Sequence, residues 1–85
     1  MAEAQRIQIK TPESVVFETL RALMQARGAN GTVIRPDSRL NQDLGLDSLD
    51  LAELSAVLED EFGRDPFSDG LLPATPAELI SYYQA

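Results

Sequence analysis

The segment from Asp47 to Phe62 restricts the fold more than any other part of the chain, because its pattern is typical of an amphipathic α-helix. Its large apolar residues recur every three or four positions and share a sector of roughly 80° on a helix that turns about 100° per residue. They are Leu51, Leu54, Leu58 and Phe62. A chain of 85 residues buries only one small core. This face of the helix is therefore expected to supply much of that core.

Capping patterns predict two further principal helices. Thr11 offers an N-cap hydroxyl, and Pro12 suits the first helical position, so a helix is predicted from Pro12 to about Arg27. Thr75-Pro76-Ala77-Glu78 has the form of a capping box and opens a helix to about Tyr83. Asp47 is a good N-cap for the middle helix, whose end is marked by Gly63.

The connections complete an all-α prediction. Residues 28–47 contain glycine and proline breaks without strand alternation, so a long loop is expected between helices 1 and 2. Its apolar residues are predicted to anchor it to the core: Val33, Ile34, Leu40, Leu44 and Leu46. A short helix is predicted near 67–72. The predicted fold is one domain over residues 1–85, a four-helix bundle of three principal helices and one short helix, with residues 1–10 forming a loose N-terminal segment.

Composition argues against catalysis by this chain alone. Cysteine and histidine are both absent, which removes disulfides, thiolate zinc sites and the commonest general base. No metal site is predicted. Residues 1–40 hold four acids and six bases, whereas residues 41–85 hold ten acids and one base, Arg64. An acidic half of this kind disfavours nucleic acid and anionic membranes and favours basic surfaces of partner proteins.

Ser48 lies just inside the predicted N-terminus of the middle helix, where backbone N–H groups favour an anion. Taken alone, Asp47-Ser48-Leu49 is better explained by Ser48 as a second capping hydroxyl. The side of the helix opposite the leucines combines a small apolar centre with acids, as docking surfaces do. That side holds Leu49, Ala52, Glu53, Ala56, Glu59 and Asp60.

The surrounding residues resemble the acyl carrier protein family from about Thr11 to Tyr83. The resemblance rests on Asp43-Leu44-Gly45-Leu46-Asp47-Ser48-Leu49-Asp50, followed by Glu53-Leu54 and by Leu58-Glu59-Asp60-Glu61-Phe62. It implies that the Ser48 hydroxyl attacks coenzyme A on a separate phosphopantetheinyl transferase. The product is a 4′-phosphopantetheine phosphodiester, whose thiol carries acyl groups as thioesters between enzymes. The protein is then a carrier and not an enzyme.

The resemblance also implies a docking face for basic patches on acyl-loading and acyl-processing enzymes, with Asp47 helping to hold the transferase and its metal. That face consists of Asp47, Leu49, Asp50, Glu53, Ala56, Glu59 and Asp60. Ala56 stands where many fatty-acid carriers have a larger apolar residue, and Asp65–Gly70 replaces a more acidic run. These departures suggest a stand-alone carrier for a specialised pathway, such as polyketide synthesis, rather than the bulk fatty-acid carrier.

Two alternatives stay open. A D-alanyl or peptidyl carrier also attaches phosphopantetheine to a helix-opening serine, although the Asp47-Ser48-Leu49 context argues against the peptidyl type. An unmodified helical adaptor could instead use the acidic helix to bind a basic partner, which would leave Ser48 as a cap. A monomer is expected. A cytoplasmic location is expected as well, because no apolar run of signal-peptide or membrane-spanning length is present.

Overall fold

A computed structural model describes residues 10–29 and 31–84. Residues 1–9, which make up most of the segment predicted to be loose, lie outside the described residues. The described chain forms three α-helices and no strand: α1 (Pro12–Ala26), α2 (Ser48–Phe62) and α3 (Pro76–Tyr82). The all-α prediction is confirmed, and each helix begins at its predicted cap.

Helix α1 begins with the predicted cap. Thr11 Oγ1 accepts the Ser14 N–H at 3.1 Å, and Ser14 Oγ accepts the Thr11 N–H at the same distance. Pro12 stands at the first helical position, where its missing N–H costs nothing. The apolar residues of α1 recur at helical spacing and are all buried in the core: Val15, Val16, Leu20, Leu23 and Met24.

Helix α2 buries the face that the leucine spacing predicts. Leu54 and Leu58 are completely buried, while Leu51 and Phe62 are half-buried and pack against the core. Each fully buried leucine stabilises the fold by about 1.5–3 kcal/mol. Gly63 ends the helix with φ +78°, a left-handed conformation that glycine adopts without strain, and its N–H donates to the Glu59 carbonyl at 2.8 Å.

Helix α3 begins with half of the predicted capping box. Thr75 Oγ1 accepts the Glu78 N–H at 3.2 Å, as expected. The Glu78 carboxylate, however, accepts the N–H of Ala74 at 2.8 Å rather than that of Thr75. Leu79 is fully buried, and the Tyr83 ring lies 5.0 Å from the Phe62 ring between centroids. This aromatic contact ties the end of α3 to the end of α2.

The chain between α1 and α2 is held to the core by four of its five predicted anchors. Leu40, Leu44 and Leu46 are buried, and Ile34 is half-buried against the core. The prediction for Val33 was wrong, because its side chain is 67% exposed.

Turns replace the predicted short helix near residues 67–72. The Leu71 N–H donates to the Pro66 carbonyl at 2.9 Å, and the Gly70 N–H donates to the Phe67 carbonyl at 3.0 Å. Gly70 has φ +84°, which reverses the chain and ends the turn before an α-helix can propagate. The described chain therefore has three helices, and the predicted fourth helix is corrected to a turn segment.

The core forms where α1 packs against both α2 and α3. Leu20, Leu54 and Leu79, one from each helix, are completely buried in it. No helix in the described ranges is both long enough and apolar enough to cross a membrane.

Candidate functional site at the start of helix α2

The chain that leads into α2 is fixed by its own backbone and by Asp43. The Leu46 N–H donates to the Leu40 carbonyl at 3.0 Å, which joins the two buried leucines across a tight turn. The Asp43 carboxylate accepts the Arg39 N–H at 2.7 Å. Gly45 has φ +72°, a left-handed conformation that an L side chain rarely adopts. These residues hold the start of α2 at a set position on the core.

A reciprocal capping box closes the N-terminus of α2. Asp47 Oδ1 accepts the Asp50 N–H at 2.9 Å, and Asp50 Oδ2 accepts the Asp47 N–H at 3.1 Å. The hydrogen bond from the Asp50 N–H lowers the pKa of Asp47 below its ordinary value. Burial opposes this effect, and the Arg27 guanidinium adds a smaller lowering of the pKa. Asp47 is therefore ionised at neutral pH.

Ser48 occupies the first helical position of α2, with an exposed side chain. Since Asp47 already caps the helix, the alternative that Ser48 serves as the capping hydroxyl loses its main support. In the described part of the chain, no hydrogen bond joins Ser48 Oγ to another residue. The hydroxyl is therefore accessible to a reagent or to an enzyme.

A groove of about 230 Å³ opens beside Ser48, between α2 and the turn segment. It is lined by Ser48, Leu51, Ala52, Ser55, Phe67 and Ser68. The Ser55 and Ser68 hydroxyls each donate to Asp65 at 2.8 Å, so this buried carboxylate lies behind the groove wall. The groove leaves space on this side of Ser48 for a covalently attached group.

Asp50 differs from the other residues predicted to form a docking face. Its carboxylate is half-buried and accepts a hydrogen bond from Arg27 Nη1 at 2.7 Å, which ties the end of α1 to the start of α2. The others are exposed, as the helical spacing predicts: Asp47, Leu49, Glu53, Ala56, Glu59 and Asp60. Leu49 has 68% of its surface exposed. The structure thus brings together an apolar centre and an acidic rim on the outer side of α2.

Sequence reasoning missed three features near Ser48. Val57 is 36% exposed beside the acidic rim, one helical turn after Glu53 on nearly the same side of α2. Arg27 reaches Asp50 across 23 residues, a pairing that the sequence pattern does not signal. Asp65 Oδ1 accepts a hydrogen bond from the Ser68 N–H at 3.0 Å. The Asp-Pro-x-Ser spacing of residues 65–68 is a sequence signal for this hydrogen-bonded turn.

Comparison with known proteins identifies the family of this chain. The family model for the phosphopantetheine attachment site matches residues 18–82. The chain is similar to an acyl carrier protein of Chlorobium phaeobacteroides, with 40% identity over 62 residues, which cover 73% of this chain and 72% of the relative. The chain belongs to the acyl carrier protein family. The family resemblance predicted from the sequence is thus confirmed, and the phosphopantetheine attachment domain includes all of α2 and α3.

Other acyl carrier proteins show the same similarity over a shorter span. Those of Nitratidesulfovibrio vulgaris strain DP4 and Solidesulfovibrio magneticus are each 38% identical over 50 residues, or 59% of this chain. These spans cover 66% and 64% of the respective relatives. An acyl carrier domain bears 4′-phosphopantetheine on a serine, and proteins of this family act as carriers rather than as enzymes. In the described residues, no group of three or more acidic side chains is placed to hold a metal ion.

Proposed function

We propose that Ser48 is the serine that carries 4′-phosphopantetheine and that the protein shuttles acyl groups between the enzymes of a biosynthetic pathway. The observation that carries the proposal is the position of Ser48 at the first residue of α2, exposed beside an open groove and inside the family match. The cap made by Asp47 supports it further, because the serine hydroxyl is not needed to start the helix.

The residues around Ser48 suit a phosphodiester. The first turn of a helix offers backbone N–H groups and the positive end of its dipole, which stabilise an anion. In the proposed reaction, Ser48 Oγ gives up its proton to the transferase and forms a new O–P bond to the phosphopantetheine phosphorus of coenzyme A. The bond to the adenosine bisphosphate breaks, and that fragment leaves with the electron pair. When bound, the group supplies a terminal thiol that holds an acyl chain as a thioester.

The outer face of α2 is proposed to bring partner enzymes to Ser48. Leu49 directly follows the attachment residue and offers an apolar contact, while Glu53, Glu59 and Asp60 supply a negative rim. Basic patches on the transferase and on acyl-processing enzymes complement that rim, and charge complementarity raises the association rate. A tethered acyl group then reaches each active site at a high effective concentration.

The pathway is proposed to be a specialised one, such as polyketide synthesis. Ala56 gives the docking face a smaller apolar side chain than most fatty-acid carriers have, and the turn at 66–70 takes the place of a more acidic segment. These differences favour partners other than those of bulk fatty-acid synthesis. A D-alanyl or other carrier would use the same Ser48 chemistry with a different cargo. Cytoplasmic location and a monomeric state stay predictions.

Intact-mass measurement tests the assignment of Ser48. The purified protein is incubated with coenzyme A and a broad-specificity phosphopantetheinyl transferase, and we expect a mass gain of one phosphopantetheine. Ser48→Ala should show no gain. Ser81→Ala, which removes an exposed serine from α3, is the matched control and should be modified like the wild type.

The outcomes separate the classes of function. No gain by the wild type would contradict the carrier proposal and favour the unmodified acidic adaptor. A gain that persists in Ser48→Ala would place the attachment on another residue. If Ser48 is modified, a trial of fatty, polyketide and D-alanyl substrates with their loading enzymes then distinguishes the kinds of carrier.

A further inference from the structure

Among the described residues, Arg27 is a cation that pairs with the first turn of α2, two residues from the proposed attachment site. It caps the C-terminal end of α1, where its backbone N–H donates to the Met24 carbonyl at 3.2 Å. Its guanidinium extends to the N-terminal turn of α2 and lies 2.7 Å from Asp50 Oδ2. The side chains of Arg27 and Asp50 are 38% and 21% exposed, so the ion pair is partly shielded from water.

The charges around Ser48 make this cation significant. Asp47 and Asp50 flank the serine by one and two residues, and both carboxylates are fixed by the capping box. Asp50 Oδ2 accepts from both the Asp47 N–H and Arg27 Nη1, so the guanidinium is bound directly to the capping box. Arg27 also contributes to the lowered pKa of Asp47, which indicates that its field reaches both carboxylates.

A phosphodiester on Ser48 adds a third negative charge to this turn. Like charges a few ångströms apart repel by an amount that depends strongly on the local dielectric and on any counter-ion. The α2 dipole offsets part of that repulsion. Residues 41–85 contain only one base, Arg64. Its guanidinium lies over the ring of Tyr82, the last residue of α3, at 4.8 Å from the ring centroid.

We propose that Arg27 is the built-in counter-ion of the modified site, which offsets the charge that a phosphodiester on Ser48 adds beside Asp47 and Asp50. The inference rests on the proposed attachment at Ser48. It gives α1 a part in the function of α2: the end of one helix supplies the positive charge that the start of the other lacks. The unmodified protein gains only a small stabilisation from the pair, as is usual for partly exposed ion pairs. The stability of the modified protein depends more strongly on the charge of Arg27.

A comparison of unmodified and modified protein tests the inference through stability rather than activity. The Tm of each form is measured at low salt for the wild type, Arg27→Gln, Arg27→Lys and Arg21→Gln. Arg21 is exposed on the same helix, so Arg21→Gln matches the charge change away from Ser48. We expect modification to lower the Tm of Arg27→Gln by at least about 2 °C more than it lowers the Tm of the wild type. Arg27→Lys and Arg21→Gln should follow the wild type.

Each outcome has a defined meaning. A loss of stability in Arg27→Gln that is equal in both forms would show a purely structural role and overturn the inference, while the proposed function would stand. The extra loss should shrink in about 0.5 M NaCl, because salt screens the repulsion. If the wild type gains no phosphopantetheine, the proposed function fails first and this inference fails with it. Should Arg27→Gln fold too poorly for a Tm, the Tm shift that modification causes in the wild type decides. A small shift that NaCl leaves nearly unchanged is expected where Arg27 offsets the added charge, and a large loss of Tm that NaCl removes would contradict the counter-ion role.

Discussion

Asp65 is a fully buried carboxyl group whose hydrogen bonds come from two parts of the chain. Oδ1 accepts from the Ser55 hydroxyl of α2 and from the Ser68 N–H, and Oδ2 accepts from the Ser68 hydroxyl. Burial by itself raises the pKa of Asp65, but these hydrogen bonds outweigh burial and the net pKa lies below the ordinary 3.8. The ionised carboxylate therefore fastens the turn segment to α2, next to the groove beside Ser48.

The lowered pKa of Asp65 predicts a loss of stability in acid. The unfolded chain takes up the proton at a higher pH than the folded chain does, so stability is present above about pH 4 and falls as the pH drops through the folded pKa. We expect the unfolding free energy of the wild type to fall more steeply between pH 5 and pH 2 than that of Asp65→Asn, with urea melts as the measurement.

A matched variant identifies the residue responsible. Asp37→Asn removes an exposed carboxylate from the connection between α1 and α2, and it should retain the wild-type pH dependence. Asp47 has a lowered pKa as well, so Asp65→Asn should reduce the acid dependence without abolishing it. Identical slopes for the wild type and Asp65→Asn would contradict the assignment.

Helix α2 combines two different tasks on opposite sides. Leu54 and Leu58 are fully buried against α1, whereas Leu49 on the outer side is largely exposed. The same residue type thus contributes to folding at one position and is free for contact with a partner at another. Position on the helix, and not hydrophobicity alone, assigns each leucine its role.

Alanine substitutions separate these tasks. Leu54→Ala or Leu58→Ala should lower the free energy of unfolding by about 2–5 kcal/mol, because each leaves a cavity in a small core. Leu49→Ala removes the same atoms from an exposed site and should change the free energy of unfolding by less than about 0.5 kcal/mol. Chemical denaturation measures both. A Leu54→Ala protein as stable as the wild type would show that the core assignment of this face is wrong.

The helices were predictable because their signals are local. Four of the six helix termini are marked within a few residues by Thr11 with Pro12, Asp47 with Gly63, and Thr75 with Pro76, and each helix begins where these residues predict. The turn at 66–70 was not predicted correctly, since it depends on the left-handed Gly70 and on the buried Asp65. Burial of an aspartate cannot be read from its neighbours in sequence.

The candidate site was predictable only in part, because some of its contacts join residues that are distant in the sequence. The outer face of α2 follows from helical spacing over adjacent turns, whereas the choice of Ser48 as the attachment residue follows from the family resemblance. The Arg27–Asp50 pair joins residues 23 positions apart, and the Ser55–Asp65 bond joins residues 10 positions apart. Such contacts require the packing of α1 and of the turn segment against α2, which no local pattern specifies.

In the whole molecule, the two oppositely charged parts of the sequence are joined by ion pairs. Arg27 pairs with Asp50 and Lys10 pairs with Glu61 at 3.0 Å, so bases of the first part are bound to acids of the second. The outer carboxylates Glu53, Glu59 and Asp60 stay exposed to solvent. These carboxylates give the outer side of α2 a concentrated negative charge.

Charge reversal on this side should slow docking of partner enzymes without unfolding the protein. Glu53→Lys combined with Asp60→Lys changes the net charge by four units and places positive charge where basic patches are expected to bind. At low salt we expect the rate of phosphopantetheine transfer to fall by roughly tenfold, chiefly through slower association, because rim charges act mainly on the association rate. Far-UV circular dichroism should be unchanged.

A second double variant distinguishes the docking face from net charge. Glu13→Lys with Glu18→Lys makes the same charge change on exposed positions of α1. If docking uses the outer side of α2, this control should slow transfer by much less, and the difference between the two variants should shrink as ionic strength rises, since the Debye length falls to about 8 Å at 0.15 M. Equal slowing by both variants would mean that overall charge, rather than the surface beside Ser48, steers the partner, and unchanged rates in both would remove electrostatic docking altogether.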